Sequence, residues 1–183
     1  MTLVSALALA LLAGLSIPAG ALVSSHLVLR SVCLRFEVDS FVSYFGGGAL
    51  LAAIALVLIP QGIEHASVLS ASAAFAMGGL VFWQFSSWTT RTGNTASQFL
   101  GMVLDFFPEA ILLGAAAASG SSVAYLLTVL IALQNMPEGF AAYHEMHEGA
   151  KSQRRLWMMF LSAPLLGPLA AWLGFAWLSA NNV

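Results

Sequence analysis

Two Pro-Glu motifs lie inside apolar stretches of the sequence. The first reads Asp105-Phe106-Phe107-Pro108-Glu109, and the second reads Gln134-Asn135-Met136-Pro137-Glu138-Gly139. A carboxylate at the centre of a bilayer costs roughly 2.5–3.5 kcal/mol on insertion scales, so the three carboxylates of these motifs need compensation. A bound cation would supply it.

The spacing within each motif places its polar groups on one helix face. Asp105 and Glu109 are four residues apart, as are Gln134 and Glu138, and residues i and i+4 of a helix are neighbours. If the two helices form an antiparallel hairpin, both faces converge. The combined set offers carboxylates and amides without His or Cys, which favours a hard divalent cation. The sequence therefore predicts a metal site formed by Asp105, Glu109, Gln134, Asn135 and Glu138.

The prolines of the motifs predict kinks beside these ligands. Pro108 cannot donate to the carbonyl of Leu104, and Pro137 cannot donate to the carbonyl of Leu133. Transporters use such discontinuous helices near the midplane to expose backbone oxygens to an ion. The simpler alternative is that the prolines are ordinary and that each glutamate only hydrogen-bonds a neighbouring helix.

The elements that position the motifs must be membrane helices. Hydrophobic residues make up 60% of the chain and charged residues 8%, with a mean hydropathy of +0.89, whereas soluble domains carry about 25% charged residues. The net charge of −2 gives no footprint for nucleic acid. The single cysteine, Cys33, supports neither an internal disulfide nor a cysteine metal site. The composition therefore predicts an integral membrane protein whose surroundings are lipid.

Six apolar segments of about 18–25 residues are each long enough to cross a hydrocarbon core of about 30 Å. They cover residues 2–23, 41–60, 70–88, 97–118, 122–143 and 156–180. All should be helical, because lipid offers no partner for unpaired backbone groups. The predicted fold class is all-α: a polytopic membrane protein with a six-helix transmembrane bundle, forming a single domain over residues 1–183.

Two short stretches affect how these segments are interpreted. Ala19-Gly20-Ala21 resembles a signal-peptide cleavage site, but no Lys or Arg precedes the first segment, which favours a retained span. Ser119-Gly120-Ser121 is a short loop that predicts an antiparallel hairpin of the fourth and fifth spans. This hairpin would bring both motifs to the midplane, where transporter sites lie. The glycines at 46–48 and 78–79 predict close helix packing.

The positive charges predict the topology. They all fall in the first, third and fifth loops, at Arg30, Arg35, Arg91, Lys151, Arg154 and Arg155. By the positive-inside rule, these loops are cytoplasmic and both termini lie outside. Residues 24–40 include Arg30, Arg35, Glu37 and Asp39, and these charges predict a polar connector with a short surface helix between the first two spans.

Polar groups also occur near two span ends. Gln61, Glu64 and His65 end the second span and would form a funnel for an incoming ion, or else an interfacial cap. A second group follows the fifth span and consists of His144, Glu145, His147 and Glu148. It would be a metal exit or sensing site, or else a solvated helix end.

At the Pro-Glu motifs the chain resembles the ZIP family of divalent-metal transporters, in its GufA-like bacterial branch. That branch carries His-Asn-x-Pro-Glu-Gly in the fourth span and Gln-Asn-x-Pro-Glu-Gly in the fifth. Residues 134–139 match the second motif at every specified position, and residues 105–110 match the first at Pro108 and Glu109. Similar stretches at 47–53 with 58–60, and at 161–162 with 168–169, extend the resemblance over nearly the whole chain.

The resemblance implies a primary metal site at Asp105, Glu109, Gln134 and Glu138. Family members often hold a second metal, using an Asn of the first motif and a Glu of the sixth span. Those positions hold Phe106 and Gly167 here, which implies a weakened or absent second site. The family has eight spans against six here, has its N-terminus outside, and commonly forms dimers, which implies a homodimer. The likeness to the bacterial branch implies the bacterial inner membrane as the location.

The expected function is passage of zinc, iron or manganese toward the cytoplasm as transported substrate. It needs no covalent chemistry, so we expect no enzyme activity. The alternative is a non-transporting, degenerate ZIP-like subunit that binds metal or only packs. An intramembrane hydrolase is disfavoured because no Ser/His pair or His-Glu-x-x-His motif lies at membrane depth.

Overall fold

The computed structural model describes residues 1–26, 32–65, 67–91, 96–150 and 152–181. Every regular element within these ranges is a helix. In chain order they are α1 (Leu3–His26), α2 (Val32–Ala53), a π-helical turn (Ile54–Leu58), α3 (Ile59–His65), α4 (Val68–Arg91), α5 (Ser97–Ala118), α6 (Val123–Gly149), α7 (Gln153–Ser162), a 3₁₀ turn (Ala163–Leu165) and α8 (Leu166–Asn181).

The six predicted spans are confirmed. Helical stretches that are long and apolar enough to cross a membrane occur at Leu3–His26, Ser40–Leu58, Val68–Trp88, Ser97–Ala118, Val123–His147 and Gln153–Ser179. The fold is therefore an all-α, six-helix transmembrane bundle, and the protein is an integral membrane protein. The orientation of the termini, the kind of membrane and the homodimer stay predictions.

Helix α1 lies in the middle of the bundle and packs mainly against α6, with further contacts to α5 and α8. Its buried face is a stripe of mostly small residues spaced three or four apart, formed by Ala6, Ala10, Ala13, Ile17 and Ala21. Lipid gives no hydrophobic drive for helix association, so membrane helices pair where small residues let backbones approach. The alanine-rich sequence of α1 thus explains its central place.

Two helix crossings are tight enough to require glycine. A Cβ added at Gly114 would lie 2.0 Å from the carbonyl oxygen of Ala171, and one at Gly174 would lie 1.9 Å from that of Ile111. These reciprocal contacts join α5 to α8. Helices α1 and α6 meet in the same way, because a Cβ at Gly20 or Gly139 would overlap a backbone oxygen of the other helix. The hairpin that carries both motifs is thereby held between α1 and α8.

Replacing Gly174 with alanine is therefore expected to lower stability. The new Cβ would force the α5 and α8 backbones apart, and overpacking of this kind costs about 1–3 kcal/mol or more. Thermal unfolding in detergent should show a midpoint lower by roughly 2–10 °C.

Gly101→Ala is the matched control for this substitution. Gly101 also lies in α5, but no described atom comes within 4 Å of a Cβ built there. Alanine favours a helix over glycine by about 1 kcal/mol, so this variant should melt at or above the parent temperature. Equal midpoints for Gly174→Ala and the parent would contradict the close packing.

The turn between α5 and α6 confirms the predicted hairpin. Helix α5 ends at Ala118, and Gly120 adopts φ +71°, a left-handed conformation that glycine takes without steric cost. The amide of Ser121 donates to the carbonyl of Ala116 and the amide of Gly120 donates to that of Ala117, both at 3.1 Å. This is the Schellman pattern, which satisfies the last carbonyls of a helix.

Some local expectations differ from the structure. Helices α5 and α6 continue through Pro108 and Pro137, so neither helix is interrupted at its proline, and the kinks stay predictions. A proline removes one backbone hydrogen bond, and the turns on either side keep the helix together. The backbone departs from the α-helix elsewhere, at the π-helical turn Ile54–Leu58 and the 3₁₀ turn Ala163–Leu165.

The predicted connector over residues 24–40 is also different. Residues 24–26 end α1 and residues 32–40 already belong to α2, so the described part contains no separate surface helix there. Helix α6 is longer than expected and runs to Gly149, because no glycine or proline interrupts residues 140–148. The polar residues that were predicted to follow the fifth span therefore lie in its last turns.

Helices α2 and α4 lie at the edge of the bundle. No described residue of α4 is buried, and its main contacts, which are few, are with α3 and α5. Close packing is confirmed at Gly46, where a Cβ would lie 3.0 Å from Cγ of Pro137 on α6. It is not found at the other glycines of the two groups, since no described atom lies within 4 Å of a Cβ added at Gly47, Gly48, Gly78 or Gly79.

Candidate functional site

The Pro-Glu motifs face each other across the α5–α6 hairpin. The side-chain amide of Gln134 on α6 donates a hydrogen bond to Oε1 of Glu109 on α5. Gln134 is fully buried and Glu109 is 6% exposed. The convergence of the two helix faces, which the i,i+4 spacing predicts, is confirmed for this pair.

Most polar atoms around this bond lack a partner. Within the described residues, no hydrogen-bond partner exists for Oε2 of Glu109, Oε1 of Gln134, both amide atoms of Asn135, or Oε2 of Glu138, and all of these atoms are buried. Each buried polar atom without a partner costs about 1–3 kcal/mol. Five such atoms on four neighbouring residues mark a place where a polar species belongs.

The carboxylates of the two motifs interact through their charges. Asp105 acts electrostatically on both Glu109 and Glu138, and Glu138 acts on Glu109. Asp105 is half-buried, one turn before Glu109 on the same face of α5. Repulsion among the three carboxylates weakens when a cation lies between them, so their arrangement favours a positive ligand.

The predicted ligands do not yet form a closed coordination shell. In the part of the chain that is described, no three His, Cys, Asp or Glu side chains come together in a group that could hold a metal ion. The pair that is in contact consists of one carboxylate and one amide, Glu109 and Gln134. In this arrangement the amide presents its N–H group to Glu109, and its oxygen is unpaired. Binding of a cation by both residues requires the amide to turn.

Phe106 fills the space beside the site. Its ring is fully buried between α1 and α8, where an added Cβ at Gly14 or Gly167 would lie 3.0 Å or 2.8 Å from its Cζ atom. Phe106 and Gly167 are the two positions at which the resemblance implies ligands of a second metal. In the structure the ring of Phe106 lies against Gly167, so an apolar side chain fills the space between α5 and α8 at these positions.

The polar groups in the last turns of α6 have separate partners. Glu145 accepts a hydrogen bond of 3.3 Å from the hydroxyl of Ser97, and Nδ1 of His147 lies 3.1 Å from Oε1 of Gln153. The ring of His144 stacks on Phe140. These contacts fix the end of α6 to the starts of α5 and α7, and the described residues there do not converge on one point. The side chain of Glu148 lies outside the described part of the structure.

The predicted funnel at the end of the second span stays a prediction. Helix α3 includes Gln61, Glu64 and His65, but their side chains are outside the described residues. Sequence reasoning missed Ser43 and Gln98, which line a groove that reaches Glu138. They carry no motif or spacing that could have identified them, because each is a single polar residue at the polar end of its span.

The chain was compared with known proteins by sequence and by structure. No protein-family model, curated protein or solved structure matches it.

Proposed function

We propose that this protein moves a divalent metal ion, zinc, iron or manganese, across the membrane toward the cytoplasm. The ion would bind within the α5–α6 hairpin to Asp105, Glu109, Gln134, Asn135 and Glu138. The observation that carries the proposal is the group of five buried polar atoms for which the described residues offer no partner. These atoms are oxygens and one amide nitrogen, and an arriving cation with its remaining waters would satisfy them.

Several properties of the site support an ion that leaves again. The proposed metal ligands lie within membrane spans, on a hairpin that packs between α1 and α8. Carboxylate and amide oxygens hold divalent ions less tightly than thiolate or imidazole groups hold zinc. The incomplete shell, in which Gln134 must turn away from Glu109, would let the ion exchange without a large barrier. A site that only stabilised the fold would be closed and fully coordinated.

The test is metal uptake by the purified protein in liposomes that contain a fluorescent metal indicator. Zinc and manganese added outside should enter at a saturable rate, and protein-free liposomes should show only leak. Absence of saturable uptake in liposomes that contain folded protein would contradict the proposal.

The second candidate is a membrane protein that binds metal, or only packs, without transport. The observation that favours it is the contact of Phe106 with Gly167. Neither residue offers a side-chain atom that could bind a metal ion beside the site, and their contact packs α5 against α8. Titration calorimetry on the same preparation separates the two functions. Metal binding without uptake supports the second candidate.

A further inference from the structure

An open groove runs along the outside of the hairpin, between α2, α5 and α6. Its volume is about 280 Å³, and it extends from the level of Glu138 to Gln98 near the start of α5. Its wall is mostly apolar, with contributions from Val42, Leu50, Met102, Pro137 and Ala141. The glycines of α2 leave it open, since no described atom lies within 4 Å of a Cβ built at Gly47.

Glu138 is the one ionisable residue among the described residues that line this groove. Its side chain is half-buried, and it borders the groove through the part that stays exposed. Its Oε2 atom lies behind this surface and has no hydrogen-bond partner in the described part of the chain. A carboxylate oxygen in an apolar wall is costly unless it is paired. A ligand that brings a cationic N–H group to Glu138 would remove this cost.

The groove suits an organic cation better than a metal ion. A divalent metal needs about six oxygen ligands, and the groove offers Glu138, Ser43 and Gln98 on an apolar wall. The fully buried amides of Gln134 and Asn135 are not part of this wall. A ligand with its charge at one end and a hydrocarbon body would pair with Glu138 and bury its body against Leu50 and Met102.

The volume limits the size of such a ligand. One water molecule takes about 30 Å³ in the liquid, so the groove corresponds to about nine waters, or a compact amine of about ten non-hydrogen atoms. This volume is just below the range of about 300–1,000 Å³ that is typical of ligand pockets, which combine apolar walls with few polar groups.

We propose that the α2–α5–α6 groove binds a small amphiphilic amine, with the ammonium group on Glu138 and the hydrocarbon body against Leu50, Met102 and Pro137. The ligand class is a compact primary amine that reaches the groove from the membrane. This inference shares Glu138 with the proposed metal site but does not depend on transport. Because one residue serves both ligands, the amine should compete with the metal ion.

The test uses 1-adamantylamine as the probe and the purified full chain in detergent with a metal chelator. Titration calorimetry should show saturable binding. Filling the groove with Gly47→Phe should weaken binding at least tenfold. The matched control is Gly48→Phe, which adds the same ring to the next residue of α2. Gly48 does not line the groove, and no described atom lies near its added Cβ, so its affinity should equal that of the parent.

Two further measurements are needed. One distinguishes loss of binding from misfolding of a variant, and the other distinguishes specific binding from partition of the amine into detergent. Glu138→Gln keeps the shape of the wall and should also weaken binding at least tenfold. The neutral analogue 1-adamantanol should bind at least tenfold more weakly than the amine to the parent protein. Equal binding to Gly47→Phe, Gly48→Phe and the parent would overturn the inference, as would no binding to the parent. Metal uptake without amine binding would contradict this inference and leave the proposed function intact. Amine binding without metal uptake would contradict only the proposed function.

Discussion

Replacing Glu138 with alanine is expected to abolish metal uptake into liposomes. The buried Oε2 atom of Glu138 has no partner among the described residues, so this oxygen is available to coordinate an ion. Glu138 also contributes to the charge around Glu109. Even residues that only support metal ligands contribute 10–100-fold to metal affinity or activity. Loss of a ligand should therefore lower the initial rate by about 100-fold or more.

Glu145→Ala is the matched control, because Glu145 lies seven residues later on the same helix and makes a hydrogen bond with Ser97 outside the predicted ligand set. Its uptake rate should stay close to that of the parent. Parent-like uptake by Glu138→Ala would exclude Glu138 as a ligand. An equal loss in both variants would show that the end of α6, rather than the ion site, had been damaged.

The fold follows from the sequence because the membrane imposes it. Six apolar segments are long enough to cross a bilayer, and a helix satisfies their backbone hydrogen bonds where lipid cannot. The helix boundaries were therefore predictable within a few residues at most ends. The hairpin was predictable from Gly120 and its serine neighbours. The pairing of α1 with α6 and of α5 with α8 was not. This pairing depends on glycines such as Gly20 and Gly174, each of which packs against a particular backbone oxygen of another helix. The local sequence does not indicate which helix a glycine will contact.

The site was predictable in its composition and less so in its geometry. The i,i+4 spacing and the hairpin together place Glu109 against Gln134. The direction of the amide was not predictable, because it depends on which atoms satisfy each other when no ion is bound. Phe106 is a further example. Its type suggests only packing, and its position between Gly14 and Gly167 depends on how α1 and α8 cross α5.

Acidity is expected to weaken metal uptake. Carboxylates that repel one another in a site of low dielectric bind protons when no cation is present. Metal binding must displace these protons, so the apparent affinity should fall as the pH is lowered toward about 5. The dependence has this sign because protons and metal ions compete for the same oxygens. Uptake that stays flat between about pH 5 and 7.5 would contradict competition of this kind at the cluster.

Replacing Asp105 with histidine is expected to shift the preference of the site toward zinc. Asp105 stands where the resemblance implies a histidine, and its charge acts on both Glu109 and Glu138. An all-oxygen set favours harder ions such as manganese, whereas an imidazole nitrogen favours zinc. Competition uptake, in which zinc and manganese are offered together, should show manganese entering the parent in a larger proportion than the Asp105→His variant.

Asp105→Asn is the control for this shift, because it removes the charge but supplies no nitrogen ligand. It should lower the uptake of both metals without the gain in zinc preference. The ratio of the two metals is the decisive readout, since a variant that is merely less stable loses both in proportion. An unchanged ratio in Asp105→His would show that residue 105 does not touch the ion. The ligand set would then shrink to Glu109, Gln134, Asn135 and Glu138, which are the residues that carry the buried atoms without partners in the described structure.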